Sequence, residues 1–299
     1  MRQSMLLSSV ARLFIFVFLI ATVVGWGHHG HYITCKIAEE HLWDDALASV
    51  KKLLPESAEN DLANVCSWAD EIRFHHHWSA PLHFHRLATL RLACARDGSG
   101  DCHDPHGNKD RCVTGAIYNY TMQLSAAHYD LASSSASRTR AVMFLAHFVG
   151  DAHQPLHVGF DGDEGGNAIR VRWYNRRTNL HHVWDDLIIE SALRTRYHLD
   201  PAYMIRAIQK NITDMTVSQG CAMWRHNSNR TVCPDVYASE SINLACKFAY
   251  KNASPGSVLE DEYFLSRLPI VEKRLAQGGV RLASILNHVF ASHSKIAQL

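Results

Sequence analysis

An apolar run, Leu13-Phe-Ile-Phe-Val-Phe-Leu-Ile20, stops a few residues short of Trp26-Gly-His-His-Gly-His31, and that junction constrains everything downstream. Arg2 and Arg12 precede the run, and small residues in Ala21-Thr-Val-Val-Gly25 follow it, the layout of a secretory signal peptide over residues 1–25. The run is too short for a membrane span, which needs ~20 apolar residues, and no second run follows. Cleavage after Gly25 would make Trp26 the first residue of an exported chain. Its free α-amine and carbonyl oxygen would then be able to chelate a metal together with His31.

Export sets the chemistry of the cysteines. Eight lie beyond the leader, at 35, 66, 94, 102, 112, 221, 233 and 246, an even number that predicts four disulfides in an oxidising compartment. Spacing alone leaves the pairing open; Cys102/Cys112 and Cys221/Cys233 are local candidates. Sequons at Asn119, Asn211, Asn229 and Asn252 suit a glycosylated secreted protein. The leader holds two of the 30 Lys and Arg and none of the 29 Asp and Glu, so the mature chain has 28 against 29, a formal charge of −1 with histidine neutral. Bulk electrostatics therefore cannot hold a nucleic acid, and any phosphate binding must come from a local charge.

Hydrophobic periodicity predicts helices over 31–54 (stopped by Pro55), 58–72, 114–132, 137–150, 181–196, 201–217, 236–250 and 259–278. Residues 95–111 read as a disulfide-tied loop, and Gly159–Asn167 as a Gly/Asp loop. Ile169–Tyr174 alternates like a strand, and Asn175–Asn179 can turn it into a short hairpin. The expected fold is mainly α: one compact helical domain over 26–287, with 288–299 as a C-terminal tail that is open to removal.

Histidine is the outlier in this composition, with 21 residues. His147 and Asp151, and again His181 and Asp185, stand four apart. On a helix such residues share a face, where an imidazole and a carboxylate can hold Zn²⁺ from a rigid support. Either pair alone would be an ordinary His–Asp hydrogen bond; two pairs, with His157 nearby and the Trp26/His31 terminus upstream, outweigh that reading. His75–His77 and His182 are expected to pack or to support ligands, and His153 to hydrogen-bond structurally.

Trp26-Gly-x-x-Gly-His31, Ser67-Trp-Ala-Asp70, Pro81-Leu-His-Phe84, Asp101-Cys-His-Asp104, the stretch from Phe144 to Val158, Gly165-Gly-Asn167, Asn179-Leu-His-His-Val-Trp-Asp185 and Tyr237-Ala-Ser-Glu-Ser241 run along almost the whole mature chain. In these motifs the sequence resembles the single-strand-specific zinc nucleases of fungi and plants, the plant bifunctional endonucleases most closely. Bacterial zinc-dependent phospholipase C is a more distant likeness. The resemblance implies three zinc ions. One takes Asp70, His83, His147 and Asp151; a second takes the amine and carbonyl of Trp26, His31 and again Asp151; the third takes His157, His181 and Asp185. Three Zn²⁺ against three carboxylates leave a charge of +3, enough to hold a phosphodiester without a basic surface. The resemblance further implies attack of a metal-bound hydroxide on phosphorus in single-stranded DNA and RNA, 5′-phosphorylated products and 3′-nucleotidase activity. Asp70 and Asp151 are the implied catalytic carboxylates, and Arg73 and Asn167 match positions that contact the phosphate. A secreted monomer is expected, destined for the apoplast or a vacuole, without stable membrane association.

The match breaks after Phe84. Plant relatives continue with a run like Ile-Asp-Thr-Pro-Asp, whose carboxylate helps to recognise the base; here the chain reads His85-Arg-Leu-Ala-Thr-Leu-Arg-Leu-Ala93, with no acid, as a local change of reading frame would produce. Register counted back from Cys94 would make His85 the ligand in place of His83. The altered stretch predicts weak base recognition. It also favours one alternative, an inactive metal-binding glycoprotein; a second alternative, a phosphodiesterase of the phospholipase C type, would call for an exposed apolar rim or an added lipid-binding module, and neither is visible in the sequence.

Overall fold

The structure is a computed structural model that describes residues 26–85, 102–129, 134–212 and 232–290. Its helices are α1 (His28–Glu40), α2 (Asp44–Leu53), α3 (Trp68–Ile72), α4 (Val113–Tyr129), α5 (Ser135–His153), α6 (Leu180–His182), α7 (Ile188–Arg196), α8 (Pro201–Lys210), α9 (Pro234–Leu244) and α10 (Asp261–Phe290). A small sheet of β1 (Arg170–Trp173), β2 (Arg176–Asn179) and β3 (Val258–Leu259) completes it. The fold is mainly α, as expected. The hairpin forms as an antiparallel β1–β2 pair, and β3 adds a parallel strand that the sequence did not announce.

Helix α5 is the axis of the molecule. Ser134 caps it, its Oγ accepting from Ser137 N at 3.2 Å, and every residue from Ala141 to His153 is buried. A helix buried on all sides lies inside a core, and its few polar residues there, His147, Asp151 and His153, must find partners within it. Around it packs one apolar cluster with α2, α4 and the C-terminal part of α10, including Phe144, Phe148, Ile117, Leu282 and Leu286. A second cluster gathers Trp26, Trp184, Val171, Ile189, Met204 and Leu275. Helix α1 serves both: Cys35 and Ala38 face the first, Ile33 and Ile37 the second.

Three expectations are corrected. The single helix expected over 31–54 is broken into α1 and α2, because Asn287 of α10 satisfies the backbone at the break: Asn287 Oδ1 accepts from Trp43 N at 2.8 Å and Asn287 Nδ2 donates to His41 O at 3.0 Å. The helix expected over 58–72 is a 3₁₀ turn, Leu62–Val65, followed by the short α3. That segment is fastened to α1 by the Cys35–Cys66 disulfide, by Glu39 Oε1 accepting from Leu62 N at 2.9 Å, and by the Lys36–Asp61 ion pair. The last helix does not end at 278 but runs to Phe290, with Val289 and Phe290 buried. Gly278 and Gly279 are not a stop signal: a Cβ on Gly279 would lie 2.6 Å from Cβ of Ile37, so the glycines let α10 approach α1.

The Cys102–Cys112 bridge forms as the local spacing suggested. Cys233 and Cys246 are disulfide-bonded too; the Cys221/Cys233 candidate and the altered stretch beyond His85 involve residues outside those described.

Candidate metal centre

Six elements deliver side chains to one buried place. Helix α1 brings His31, α3 brings Asp70, the 3₁₀ turn His77–His83 ends on His83, and α5 brings His147 and Asp151. The 3₁₀ turn Pro155–Val158 adds His157, and the run of α6 into α7 adds His181 and Asp185. All eight are buried, at 5% exposure or less. Their donor atoms fall into three groups within 4.8 Å: His31/Asp70/His147, His83/His147/Asp151, and His157/His181/Asp185.

Asp151 is at the middle. Its Oδ2 faces His83 Nδ1 at 3.0 Å and His147 Nε2 at 3.1 Å; its Oδ1 faces His31 Nε2 at 3.3 Å and His157 Nδ1 at 3.6 Å. The two oxygens of one carboxylate thus serve two different sets of histidines. Asp70 Oδ1 stands 3.6 Å from His83 Nδ1 and 3.7 Å from His147 Nε2, and Arg73 places a guanidinium nitrogen 3.4 Å from the same oxygen. In the third group, Asp185 Oδ2 is 3.2 Å from His181 Nε2, which is itself 3.2 Å from His157 Nε2.

Backbone carbonyls orient the rings. His147 Nδ1 donates to Cys66 O (2.8 Å), His157 Nδ1 to His83 O (2.7 Å) and His181 Nδ1 to Gly165 O (2.6 Å). Each bond fixes a tautomer that leaves Nε2 bare toward the centre, the arrangement in which metal-ligating histidines are held. Gly165 presents its carbonyl from φ +63°, where a side chain is strained, and its own Cβ would lie 2.5 Å from Leu156 O. Asn179, at the end of β2, caps α6 by accepting from His182 N at 2.8 Å, so the hairpin sets the start of the helix that carries His181. Asp185 sits in a π turn, Val183–Leu187, a widening of the helix that recurs at functional sites.

The polar bookkeeping calls for a cation. His31 Nδ1 and Nε2, His83 Nε2 and Asp151 Oδ1 are buried without a hydrogen-bond partner, which is costly unless something charged binds them. Burial, with the repulsion of His147, holds His31 down at about 3; burial holds His83 and His157 at about 3 as well. Burial disfavours charge on His147 too, but the Asp151 and Asp70 carboxylates outweigh it and raise it to about 9. Asp151 itself is held well below the ordinary carboxylate range: burial opposes this, and His147 and His157 overcome it. Asp185 is pushed well above that range by burial and by the neighbouring Asp186. The neutral imidazoles of His31, His83 and His157 beside buried carboxylates, with nitrogen and oxygen donors only, fit a divalent metal such as Zn²⁺, which would replace the proton that Asp151 and Asp70 favour on His147.

Residues 26–31 dock onto this place. Trp26 is fully buried, a Cβ on Gly150 would meet both His31 and Trp26, and Gly27 N donates to Asp185 O at 3.0 Å. Between the two histidines that competed for one role, the structure puts His83 in the cluster. His85 instead lies against Thr114 Oγ1 (3.3 Å) and Cys112 Sγ (3.5 Å). Asn167 sits in the Gly165 turn, its Nδ2 donating to Glu164 O at 2.9 Å. His153 hydrogen-bonds structurally, as expected: Nδ1 donates to Val149 O at 2.7 Å and Arg281 donates to Nε2 at 2.9 Å. His182 pairs with Asp186 at 3.0 Å. His75, His76 and His77, expected to pack or to support ligands, are exposed instead.

A profile described as S1/P1 Nuclease matches residues 26–291. The chain belongs to the S1/P1 nuclease family. It is 55% identical to Endonuclease 4 of Arabidopsis thaliana over 302 residues, covering 96% of each chain, and 52% identical to Endonuclease 2 of the same plant over 269 residues, covering 89% of this chain and 91% of the other. Nuclease P1 of Penicillium citrinum is 29% identical, over 89% of this chain and 98% of its own length. Membership makes the chain a nuclease, a hydrolase acting on nucleic acids, and metal-dependent like its family. No described helix is long and apolar enough to cross a membrane.

Two features escaped the sequence reading. The backbone acceptors that orient the histidines, Cys66 O, His83 O and Gly165 O, leave no residue-type signature. The role of Tyr237-Ala-Ser-Glu-Ser241 emerges only in three dimensions. Ser241 Oγ donates to Ala152 O at 2.6 Å, and the fully buried Arg274 reaches His153 O, Tyr237 O, Ser241 Oγ and Glu240. Together they hold the last turn of α5, one residue beyond Asp151.

Proposed function

We propose that this chain is a secreted endonuclease holding three zinc ions. On this reading it hydrolyses single-stranded DNA and RNA to 5′-phosphorylated products and acts on 3′-nucleotides, as a monomer in the apoplast or a vacuole. The observation that carries the reading is Asp151, whose two oxygens face two sets of histidines, the geometry of a carboxylate shared by two metals. Asp70, His83, His147 and Asp151 would hold one zinc; Trp26, His31 and Asp151 the second; His157, His181 and Asp185 the third. Zinc supplies Lewis acidity here, acidifying water toward neutral pH and neutralising phosphate charge.

The remaining work belongs to the protein. Asp70 holds the Arg73 guanidinium, itself buried, at 3.4 Å from its Oδ1, which presents a fixed donor fork to a phosphate. Asn167 offers a neutral amide from the Gly165 turn. Phe74 and Trp78, each 48% exposed on the segment between Asp70 and His83, offer faces on which unpaired bases stack. A duplex keeps its bases out of reach of such faces, which supports a single-strand substrate.

The test is hydrolysis of single-stranded DNA, single-stranded RNA and a 3′-nucleotide by the purified chain beginning at Trp26, before and after a chelator and after zinc is restored. The expected result is chelator-sensitive cleavage that leaves 5′-phosphates, with duplex DNA cut far more slowly. Absence of chelator-sensitive cleavage from acid to neutral pH would overturn the proposal.

A further inference from the structure

Gln154 takes no part in the ligand set, yet its side chain is wholly buried between two of the ligand groups. Its Nε2 donates to Asp185 Oδ1 at 2.5 Å, and its Oε1 accepts from Leu156 N at 2.5 Å. The second bond orients the first. Leu156 N is a donor and requires the amide oxygen, so the NH₂ group must face the carboxylate. On the main chain, Gln154 N donates to Asp151 O at 3.0 Å and Gln154 O accepts from His157 N at 3.1 Å. One residue therefore touches the backbone of Asp151, caps the turn that carries His157 and grips the side chain of Asp185.

We infer that Gln154 is a positioning residue for the third ligand group: its carboxamide occupies one oxygen of Asp185, turns the other toward His181, and locks the carboxylate to the His157 turn. This rests on the zinc reading above. The geometry follows from the distances. Asp185 Oδ1 is tied to Gln154 and stands 3.7 Å from His157 Nε2, whereas Oδ2 stands 3.2 Å from His181 Nε2. A carboxylate free to rotate would present either oxygen or both. Here a single donor chooses, and the choice is referenced through Gln154 to Asp151, so the third group is registered against the other two. Outer partners of metal ligands act in this way, and losing one typically costs ~10–100-fold in metal affinity.

The experiment separates this role from simple capping. Gln154→Glu keeps an oxygen for Leu156 N but replaces the donor facing Asp185 with a second carboxylate oxygen. Gln154→Met keeps the volume and removes both polar functions. For the mature chain, zinc per molecule is measured after dialysis, zinc affinity by competition with a chelator, and thermal unfolding on the chelator-treated protein. The expected result for Gln154→Glu is loss of one zinc of the three, with the other two retained. For Gln154→Met it is a ~10–100-fold weaker hold on one zinc, beyond any shift in the metal-free melting temperature. A Gln154→Glu chain that keeps three zincs at wild-type affinity would overturn the inference, as would variants whose only change is metal-free stability. A wild-type chain lacking a third zinc would overturn the zinc reading and this inference with it.

Discussion

Gly150→Ala is expected to disable one metal position without touching a ligand. Gly150 lies in α5 one residue before Asp151, and a Cβ there would stand 2.8 Å from His31 Nδ1 and 3.0 Å from His31 Cε1. Ordinary carbon contacts lie at ~3.5–4.0 Å, so the ring must retreat by about half an ångström or more. It has little room: the His31 ring stacks on His147 with centroids 3.9 Å apart, and both residues are fully buried. Overpacking of this kind costs about 1–3 kcal/mol, offset by about 1 kcal/mol from the better helix propensity of alanine. The larger consequence is for metal, since ligand distances tolerate only ~0.2 Å. The affinity of the zinc assigned to His31 should fall ~10–100-fold, and cleavage of single-stranded DNA with it. Zinc content under a competing chelator and cleavage rate are the assays. Gly162→Ala, whose Cβ would meet nothing within 4 Å, is the control and should change neither. A Gly150→Ala chain with wild-type zinc content and activity would refute the assignment of His31.

Asp151→Ala should be the most damaging single change, because it removes an oxygen from each of two histidine sets; zinc content should drop below that of any other single-ligand variant, and three retained zincs would contradict the bridge. A chain that keeps one residue before Trp26 should lose one zinc and most of its activity, read by metal analysis of the two N-termini side by side. Stability should fall in acid through Glu240. Burial opposes its ionisation, but Arg281 and Arg274 outweigh it and hold its folded-state value below the ordinary 4.5. Its contribution is thus present above pH 4.5 and lost as pH falls through the depressed value. Denaturant melts of the wild type and of Glu240→Gln should differ near neutral pH and converge at low pH.

The clustered residues were legible where they sit in a regular frame. His147/Asp151 and His181/Asp185 announce themselves because a helix converts a spacing of four into one face, even though a π turn widens the second pair. Asp70, His83 and His31 come from three separate elements, and no periodicity joins them; only the likeness to a family placed them together. The helix boundaries failed where distant residues decided them. Nothing near His41 signals that Asn287 will satisfy its carbonyl, and nothing near residue 278 signals that Ile37 of another helix will pack against Gly279 and the helix run on. The Cys35–Cys66 bridge was equally invisible, since its partners meet only when α1 and the α3 segment are already docked.

That bridge also reaches the candidate metal centre. The carbonyl of Cys66 holds the Nδ1 proton of His147, and Cys66 is kept in place by its bond to Cys35. The bridge thereby steadies the backbone acceptor that orients a histidine facing both Asp70 and Asp151. A chain held reduced should load metal poorly even where its helices form, and zinc uptake measured before and after oxidation would read this directly. On the exported reading proposed above, a chain still in the reducing interior of the cell would then carry an incomplete metal centre, completed only where disulfides can close.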